Sequence, residues 1–284
     1  AVMRRSGRCG GRRIRHDSVM RSTARRLVAF LQRPARRRDA LALLALIRPA
    51  DPVGMAKVRI GNAGRDGRNG DGGYVMVDDF GGIAAAVSIG IGGDVSWDRD
   101  MADRGIAVHQ FDHTIERPPH PHPLFVFRRV GVAAADSADG ALRSLDSLVD
   151  GLGVDGDLVL KIDCEGAEWA AFAAASPRTL LRFAQIAVEL HDPLHLSPRF
   201  GGSRANLDVL RRLARTHQVV HVHANSCDHI DTVAGIAVPT VIELTCLRRD
   251  RATFVDAREP FPGPLDVSNS AADDIPIGRL LAQG

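Results

Sequence analysis

Carboxylate and imidazole side chains follow the apolar runs in the second half of this sequence. Asp163 comes directly after the run 158–162. Glu189 lies near the end of the run 183–190, and His191 follows that run. Ligands of open α/β sheets bind outside the carboxyl ends of the strands, so residues at these positions share one crevice. A neutral imidazole, with an ordinary pKa of ~6.5, suits proton removal at physiological pH. The spacing predicts that His191, or Glu189 beside it, removes a proton; a structural His191 is the alternative.

A glycine-rich segment, SIGIGGD at residues 88–94, follows the first apolar run of the predicted sheet. Gly90 and Gly92 let the backbone turn sharply and approach a ligand closely, and the helix that follows offers its N-terminal amides. The dinucleotide fingerprint G-x-G-x-x-G would need a glycine where Val95 stands. The segment therefore predicts a ligand-binding turn without that fingerprint, and a plain structural turn stays open.

An acidic residue, Asp112, closes the second predicted strand. A carboxylate at this point can accept hydrogen bonds from both ribose hydroxyls of a nucleoside. His113 is placed to flank the same site, or to cap a turn. Together with the glycine turn, Asp112 predicts a ligand that contains a nucleoside; a solvated loop carboxylate is the alternative.

Apolar runs and helix-like stretches alternate through the chain, which is the order of a parallel α/β sheet. The predicted strands are 84–91, 106–111, 124–132, 158–162, 183–190, 218–223 and 240–246. The predicted helices are 40–47, with Asp39 as its N-cap, 95–104, 167–175 and 206–216. No helical pattern separates the last two strands, which favours an antiparallel pair. The expected fold is α/β: a Rossmann-like, mostly parallel seven-stranded sheet with a C-terminal antiparallel hairpin.

The sequence around Asp163 also carries a family resemblance. The segment KIDCEGAEW, residues 161–169, resembles the signature of the FkbM-type methyltransferases. Other segments resemble blocks of one subgroup: DGGYVMVDD (71–79), DVSWDRDMADRG (94–105), QFDHT (110–114), VELH (188–191), HVHAN (221–225) and ELTCLRRD (243–250). The resemblance covers residues 58–266. It implies a class I methyltransferase fold and transfer of a methyl group from S-adenosylmethionine to a hydroxyl of a sugar or small natural product.

The same resemblance implies where the cofactor S-adenosylmethionine binds. The residues expected to bind it are Gly90, Gly92, Asp94, Asp112, His113, Asp163 and Cys164. Its ribose would lie on Asp112 and its methyl group near Asp163. Many family members have an acid where this chain has Ser88, and Asp94 is the candidate substitute for that acid.

Asp163, Glu189 and His191 also form the cluster best suited to a divalent metal, which could bind and acidify a hydroxyl. Metal assistance is not favoured, because His-x-His pairs such as 221–223 equally describe the polar side of a strand. Two other functions stay open. These are a nicotinamide-dependent oxidoreductase and a non-catalytic domain that binds a nucleoside.

Charge is distributed unevenly along the 284 residues, whose formal net charge is +3. Residues 1–50 contain 14 arginines and two acids, a net charge of +12, and the remainder is acidic. We expect residues 1–38 to be a basic, poorly ordered extension and residues 39–284 to be the methyltransferase-like domain. A nucleic-acid arm is not favoured, because no aromatic residue interleaves the arginines before Phe30. A targeting peptide also stays open.

Cysteine spacing and hydropathy bear on location. The four cysteines form no CxxC pair, which supports neither a zinc site nor a disulfide framework. The longest aliphatic run covers only residues 40–47. A membrane-spanning helix needs about 20 residues, far more than this run provides. The sequence therefore predicts a cytoplasmic protein whose partner is a small-molecule acceptor, with no membrane partner.

Overall fold

A computed structural model of the chain describes residues 33–62, 71–194 and 203–282. Its helices are α1 (Arg33–Leu46), α2 (Ser96–Asp103), α3 (Leu145–Asp150), α4 (Ala167–Ala174), α5 (Pro177–Arg182), α6 (Ser203–Leu213) and α7 (Ile277–Leu281). Its first eight strands are β1 (Ala50–Pro52), β2 (Lys57–Ile60), β3 (Tyr74–Val77), β4 (Ile83–Ile89), β5 (Val108–Phe111), β6 (Phe125–Arg128), β7 (Gly131–Ala133) and β8 (Leu142–Ser144). The remaining strands are β9 (Asp157–Ile162), β10 (Phe183–His191), β11 (His217–Ala224), β12 (Ile230–Val233), β13 (Ile236–Pro239), β14 (Val241–Arg248) and β15 (Phe254–Asp256).

A central sheet of seven strands, in the order β11-β14-β10-β9-β4-β5-β6, organises the described residues. All neighbouring strands run parallel except β14, which is antiparallel to both β10 and β11. The prediction of a mostly parallel seven-stranded α/β sheet with an antiparallel strand near its C-terminal end is confirmed. The expected hairpin differs in detail, because the connection between β11 and β14 contains a separate antiparallel pair, β12 and β13.

The direction of strand addition reverses between β4 and β9. From β4 the chain continues outward to β5 and β6, whereas β9 and β10 are added on the other side of β4. The connections therefore diverge between β4 and β9 and leave a crevice at the carboxyl ends of these strands, where ligands bind in open α/β sheets.

Apolar side chains of alternate residues face opposite sides of the sheet, as the two-residue repeat of a strand requires. Ala85, Val87 and Ile89 of β4 join the larger core, which includes buried residues of α1, α4 and α6. Ala86 faces the other side and joins a smaller core with Trp97 of α2. Strands β2 and β3 form an antiparallel pair that packs on this second face.

On this second face, polar residues lie side by side across the sheet near its carboxyl edge. One cross-strand row contains Gln110, Ser88, Lys161, Ala187, Thr245 and His221. The next row contains Glu189, Glu243 and His223. All these side chains are buried. The second face therefore carries buried polar groups where the first carries aliphatic ones.

Two predicted elements have different bounds in the structure, and one expected domain boundary falls inside a helix. The described chain is already helical at Arg33, so the boundary expected between residues 38 and 39 falls inside α1. Asp39 is not the N-cap but an interior residue, whose carboxylate accepts a hydrogen bond from Ser203 Oγ at 2.7 Å. The third predicted strand is divided into β6 and β7, because β7 leaves the main sheet and pairs with β8. The predicted extension up to residue 32 lies outside the described residues.

Strands β1, β2, β3 and β15 were not among the predicted elements. They are three or four residues long and pair in separate two-stranded sheets, so the sequence contains no long apolar run to mark them. Across the parts of the chain that the structure describes, every helix is too short or too polar to cross a bilayer.

Candidate active site

A cavity of about 410 Å³ lies at the carboxyl ends of β4, β5 and β9, where the sheet order reverses. Its lining includes all seven residues predicted to bind a cofactor: Gly90, Gly92, Asp94, Asp112, His113, Asp163 and Cys164. Each of them follows a strand end closely in sequence. The parallel arrangement of the strands brings these distant segments to one crevice.

The two glycines of the turn after β4 have different roles. Both have a positive φ, +74° at Gly90 and +47° at Gly92. Residues that carry a side chain rarely adopt such values. A Cβ atom at Gly90 would lie 1.7 Å from the carbonyl oxygen of Asp163, so only glycine allows β4 and β9 to approach here. A Cβ atom at Gly92 would meet no atom of the described chain within 4 Å. Gly90 therefore serves close packing, and Gly92 keeps backbone open toward the cavity.

Asp112 holds this turn in place. Its Oδ2 accepts hydrogen bonds from the amides of Ile91 and Gly92, at 3.1 and 2.9 Å. Its Oδ1 accepts from the amide and the hydroxyl of Thr114, at 2.7 and 2.6 Å. Burial raises the pKa of Asp112, but these hydrogen bonds outweigh burial and lower it below its ordinary value. A carboxylate accepts about four hydrogen bonds, so a ribose hydroxyl would replace one of these donors.

Three other residues predicted to bind the cofactor line the same cavity. Asp94 accepts a hydrogen bond from the amide of Ser96 at 2.7 Å, at the start of α2. The ring of His113 lies where a Cβ atom at Gly131 would be, because Nδ1 would be 2.3 Å from that atom. Burial raises the pKa of the Cys164 thiol above its ordinary value, so Cys164 is protonated at neutral pH. Asp94 and His113 are thus held in position at the cavity wall, and Cys164 lines it as a neutral thiol.

Ser88 is fully buried beneath the turn, and the buried carboxylate of Asp98 lies beside its hydroxyl. Asp94, the expected substitute for an acid at this position, lines the cavity. Asp98, on α2, accepts a hydrogen bond from Gln110 Nε2 at 2.7 Å. Burial raises the pKa of Asp98, while Lys161, Gln110 and the Ser88 hydroxyl favour its charged form. Lys161 donates to the carbonyl of Gly90 at 2.7 Å. A carboxylate from α2 thus lies near Lys161 and Ser88, beneath the glycine turn.

The predicted catalytic residues converge at the end of β10. His191 Nε2 lies 3.1 Å from Glu189 Oε1 and 4.0 Å from Asp163 Oδ1. It also lies 3.6 Å from Glu165 Oε2. On the other side of the ring, Nδ1 lies 3.3 Å from the fully buried carboxylate of Glu168. The imidazole is therefore surrounded by carboxylates.

These carboxylates determine the charge of His191. Burial lowers the pKa of His191, but hydrogen bonds and negative charge from Glu168 and Glu189 outweigh burial and raise it to about 11. The expected neutral imidazole is thus not found, because His191 is protonated at neutral pH and balances its acidic neighbours. Burial raises the pKa of Asp163, to about 7, and also that of Glu189. Nearby acids raise the pKa of each carboxyl group further.

Sequence reasoning missed the residues that support this group. Glu168 also accepts a hydrogen bond from the backbone amide of His191, at 2.9 Å. Asn225 Nδ2 donates to Glu189 Oε2 at 3.0 Å, and Glu243 lies directly opposite Glu189 on β14. Glu168, Asn225 and Glu243 occur in segments that were quoted for the family resemblance. Their positions in the sequence gave no sign that they would contact His191 or Glu189.

Comparisons with known proteins leave the family open. No model of a known protein family matches the chain, and no curated protein sequence matches it. The functional interpretation below is therefore built on the fold and on the geometry of this cavity.

Proposed function

We propose that this protein is an S-adenosylmethionine-dependent methyltransferase that acts on a hydroxyl group of a sugar or small natural product, as the FkbM resemblance implies. The observation that carries the proposal is the cavity at the reversal of the sheet. It collects the seven residues expected around the cofactor from three strand ends and lies beside Glu189 and His191. The resemblance names these residues, and the tertiary structure brings them to one cavity.

The strand order of the sheet supports the class I methyltransferase fold. An antiparallel β14 inserted between β10 and β11 is the arrangement that the class I methyltransferase interpretation expects. A nicotinamide-binding domain usually continues with a further parallel βα unit instead. Val95 also interrupts the glycine fingerprint of that class.

The lining residues suit the proposed cofactor. The cavity has a volume of about 410 Å³. This is a size typical of small-molecule sites, which begin at roughly 300 Å³. Gly92 offers backbone without a side chain, and Asp112 offers a carboxylate to ribose hydroxyls. Asp94 and Asp163 offer negative charge to a cationic ligand. When bound, S-adenosylmethionine supplies a methyl group activated by a sulfonium.

The acceptor hydroxyl must lose a proton as its oxygen attacks. We define Asp163, Glu189 and His191 as the catalytic group and assign proton removal to its carboxylate Asp163, with the protonated His191 as counter-charge. Asp163 is the member of this group that lines the cavity. A hydroxyl held beside this group loses its proton within the complex, so the step does not depend on an encounter in solution.

Calorimetric titration with S-adenosylhomocysteine, the demethylated product, tests the proposal, and NAD is the comparison ligand. Folded wild-type protein is expected to bind S-adenosylhomocysteine and not NAD. Asp112→Asn removes acceptor capacity from the carboxylate and should weaken binding at least about tenfold, which is about 1.4 kcal/mol. Thr114→Val removes one competing donor from Asp112 and should leave binding unchanged or tighter.

Two results would refute the proposal. If the folded wild-type protein does not bind S-adenosylhomocysteine, the methyltransferase proposal is wrong. Binding of NAD instead would favour the oxidoreductase. If Asp112→Asn binds as well as Thr114→Val, Asp112 serves only to hold the glycine turn and has no ribose contact.

A further inference from the structure

Four potential ligand atoms converge beside the cavity. His191 Nε2 lies 3.1 Å from Glu189 Oε1, 3.6 Å from Glu165 Oε2 and 4.0 Å from Asp163 Oδ1. Ligand atoms of Asp163, Glu189 and His191 all lie within 4.8 Å of one another. In an octahedron with metal–ligand distances of about 2.1 Å, cis ligand atoms lie about 3.0 Å apart and trans ligand atoms about 4.2 Å apart. The distances from Nε2 to Glu189 Oε1 and to Asp163 Oδ1 lie near the cis and the trans value respectively.

Residues outside the catalytic group hold its ligand atoms in this orientation. The buried Glu168 carboxylate lies 3.3 Å from His191 Nδ1 and accepts the backbone amide of the same residue, which turns Nε2 toward the acids. Asn225 binds Glu189 Oε2 and leaves Oε1 to face His191. A histidine that binds a metal through one ring nitrogen usually donates a hydrogen bond from the other ring nitrogen to a carboxylate or a carbonyl.

The position of the catalytic group allows a ligand from the cavity to complete the coordination. Asp163 and Glu165 line the cavity, while Glu189 lies behind them and is buried. Two carboxylate oxygens and one imidazole nitrogen leave octahedral positions for water or for oxygens of a bound molecule. A donor set rich in carboxylate suits Mg²⁺ or Mn²⁺, which keep several such oxygen ligands.

We propose that Asp163, Glu189 and His191 bind a divalent cation, Mg²⁺ or Mn²⁺, which in turn binds the oxygen of the acceptor hydroxyl. The contact between the cation and the acceptor hydroxyl rests on the proposed function, whereas binding of the cation does not. A bound cation would lower the pKa of the hydroxyl. Because the cation would occupy Asp163, the proton of the hydroxyl would pass instead to the exposed carboxylate of Glu165 and then to solvent, and the oxygen would keep the electron pair. The cation would also replace the proton of Nε2 as counter-charge to the acids.

Binding of Mn²⁺ alone to the full-length chain tests the proposal. The protein is first treated with chelator and dialysed, and free Mn²⁺ is then measured by its paramagnetic resonance signal. We expect one Mn²⁺ per chain, displaced by excess Mg²⁺. Glu189→Gln and His191→Ala should each weaken Mn²⁺ binding at least tenfold. Asp163→Asn, at a partly exposed side chain, provides a third variant if either of these does not fold.

The control is His229→Gln, which changes an exposed histidine that also has acidic neighbours. Its ring contacts Asp228 through Nδ1 and lies 3.5 Å from Asp231 through Nε2. Mn²⁺ binding should be unchanged in this variant. If His229→Gln loses binding while the other variants keep it, the ion is an adventitious surface ion only and the proposal is wrong.

Two further results separate this proposal from the proposed function. Wild-type protein that binds S-adenosylhomocysteine but no Mn²⁺ at millimolar concentration overturns the cation site alone; His191 then acts only as a protonated counter-charge. Protein that binds Mn²⁺ with the expected losses in the variants but ignores S-adenosylhomocysteine keeps the cation site and refutes the methyltransferase.

Discussion

Alanine at Gly90 should cost much more stability than alanine at Gly92, whereas alanine at Gly92 should mainly weaken ligand binding. Both residues have positive φ. A Cβ atom in this backbone region costs about 1–2 kcal/mol at either position. At Gly90 the Cβ atom would also overlap the Asp163 carbonyl oxygen at 1.7 Å. Ordinary contact begins at 3.4 Å, so β4 and β9 must separate at their carboxyl ends.

That separation breaks two hydrogen bonds. One joins the Asp163 amide to the Ile89 carbonyl at 3.0 Å, and the other joins Lys161 Nζ to the Gly90 carbonyl at 2.7 Å. A neutral bond contributes about 1 kcal/mol, and one with a charged donor about 1.5–3 kcal/mol. Gly90→Ala should therefore cost about 4 kcal/mol or more, against about 1–2 kcal/mol for Gly92→Ala.

Urea unfolding followed by circular dichroism measures both losses, provided that the slope m is unchanged. A parallel titration with S-adenosylhomocysteine should show that Gly92→Ala loses affinity although it stays folded. Its methyl group would extend into the open space at the cavity. Equal stabilities of the two variants would refute the argument from close packing, and unchanged affinity in Gly92→Ala would remove Gly92 from the binding site.

Two further variants test the buried charges. Burial lowers the pKa of His223, but Asp274 and Glu243 raise it to about 10, above the ordinary value of 6.5. The stabilisation from this charge is present below the unfolded pKa and is lost as pH rises toward 10. The stability difference between wild type and His223→Gln should therefore shrink from pH 6.5 to 10; a growing difference in chemical denaturation would contradict this. Asp98→Ala should destabilise the fold by about 1–3 kcal/mol, because the buried Nε2 of Gln110 loses the acceptor that lies 2.7 Å away. Adding Gln110→Leu should recover part of the loss, whereas additive losses in the double variant would show that the two side chains do not interact.

The sequence revealed the strands of the central sheet because their signal is local. An apolar run such as 183–190 is recognisable wherever it is buried, and β10 occupies nearly those residues. The glycine turn was recognisable for the same reason, since a positive φ depends on the residue itself. Both features need only neighbouring residues, so no tertiary structure was required to predict them.

Strand pairing and support of the site required the tertiary structure. Nothing near Asp98 in the sequence indicates that it lies by Lys161, because the packing of α2 on the sheet brings them together. Asp39 follows the pattern of a helix cap but lies inside α1 and binds Ser203, 164 residues away. Local patterns do not report partners at such separations.

The sequence by itself determined the class of fold and the residues that gather at its carboxyl edge, because both follow from apolar periodicity and from the geometry of parallel strands. Only the tertiary structure decided the charge of His191. Its pKa depends on burial and on the distance to Glu168 on α4. Electrostatic interaction is set by separation in space and by local dielectric, not by separation along the chain. The chemistry of the catalytic group is therefore a property of the assembled fold.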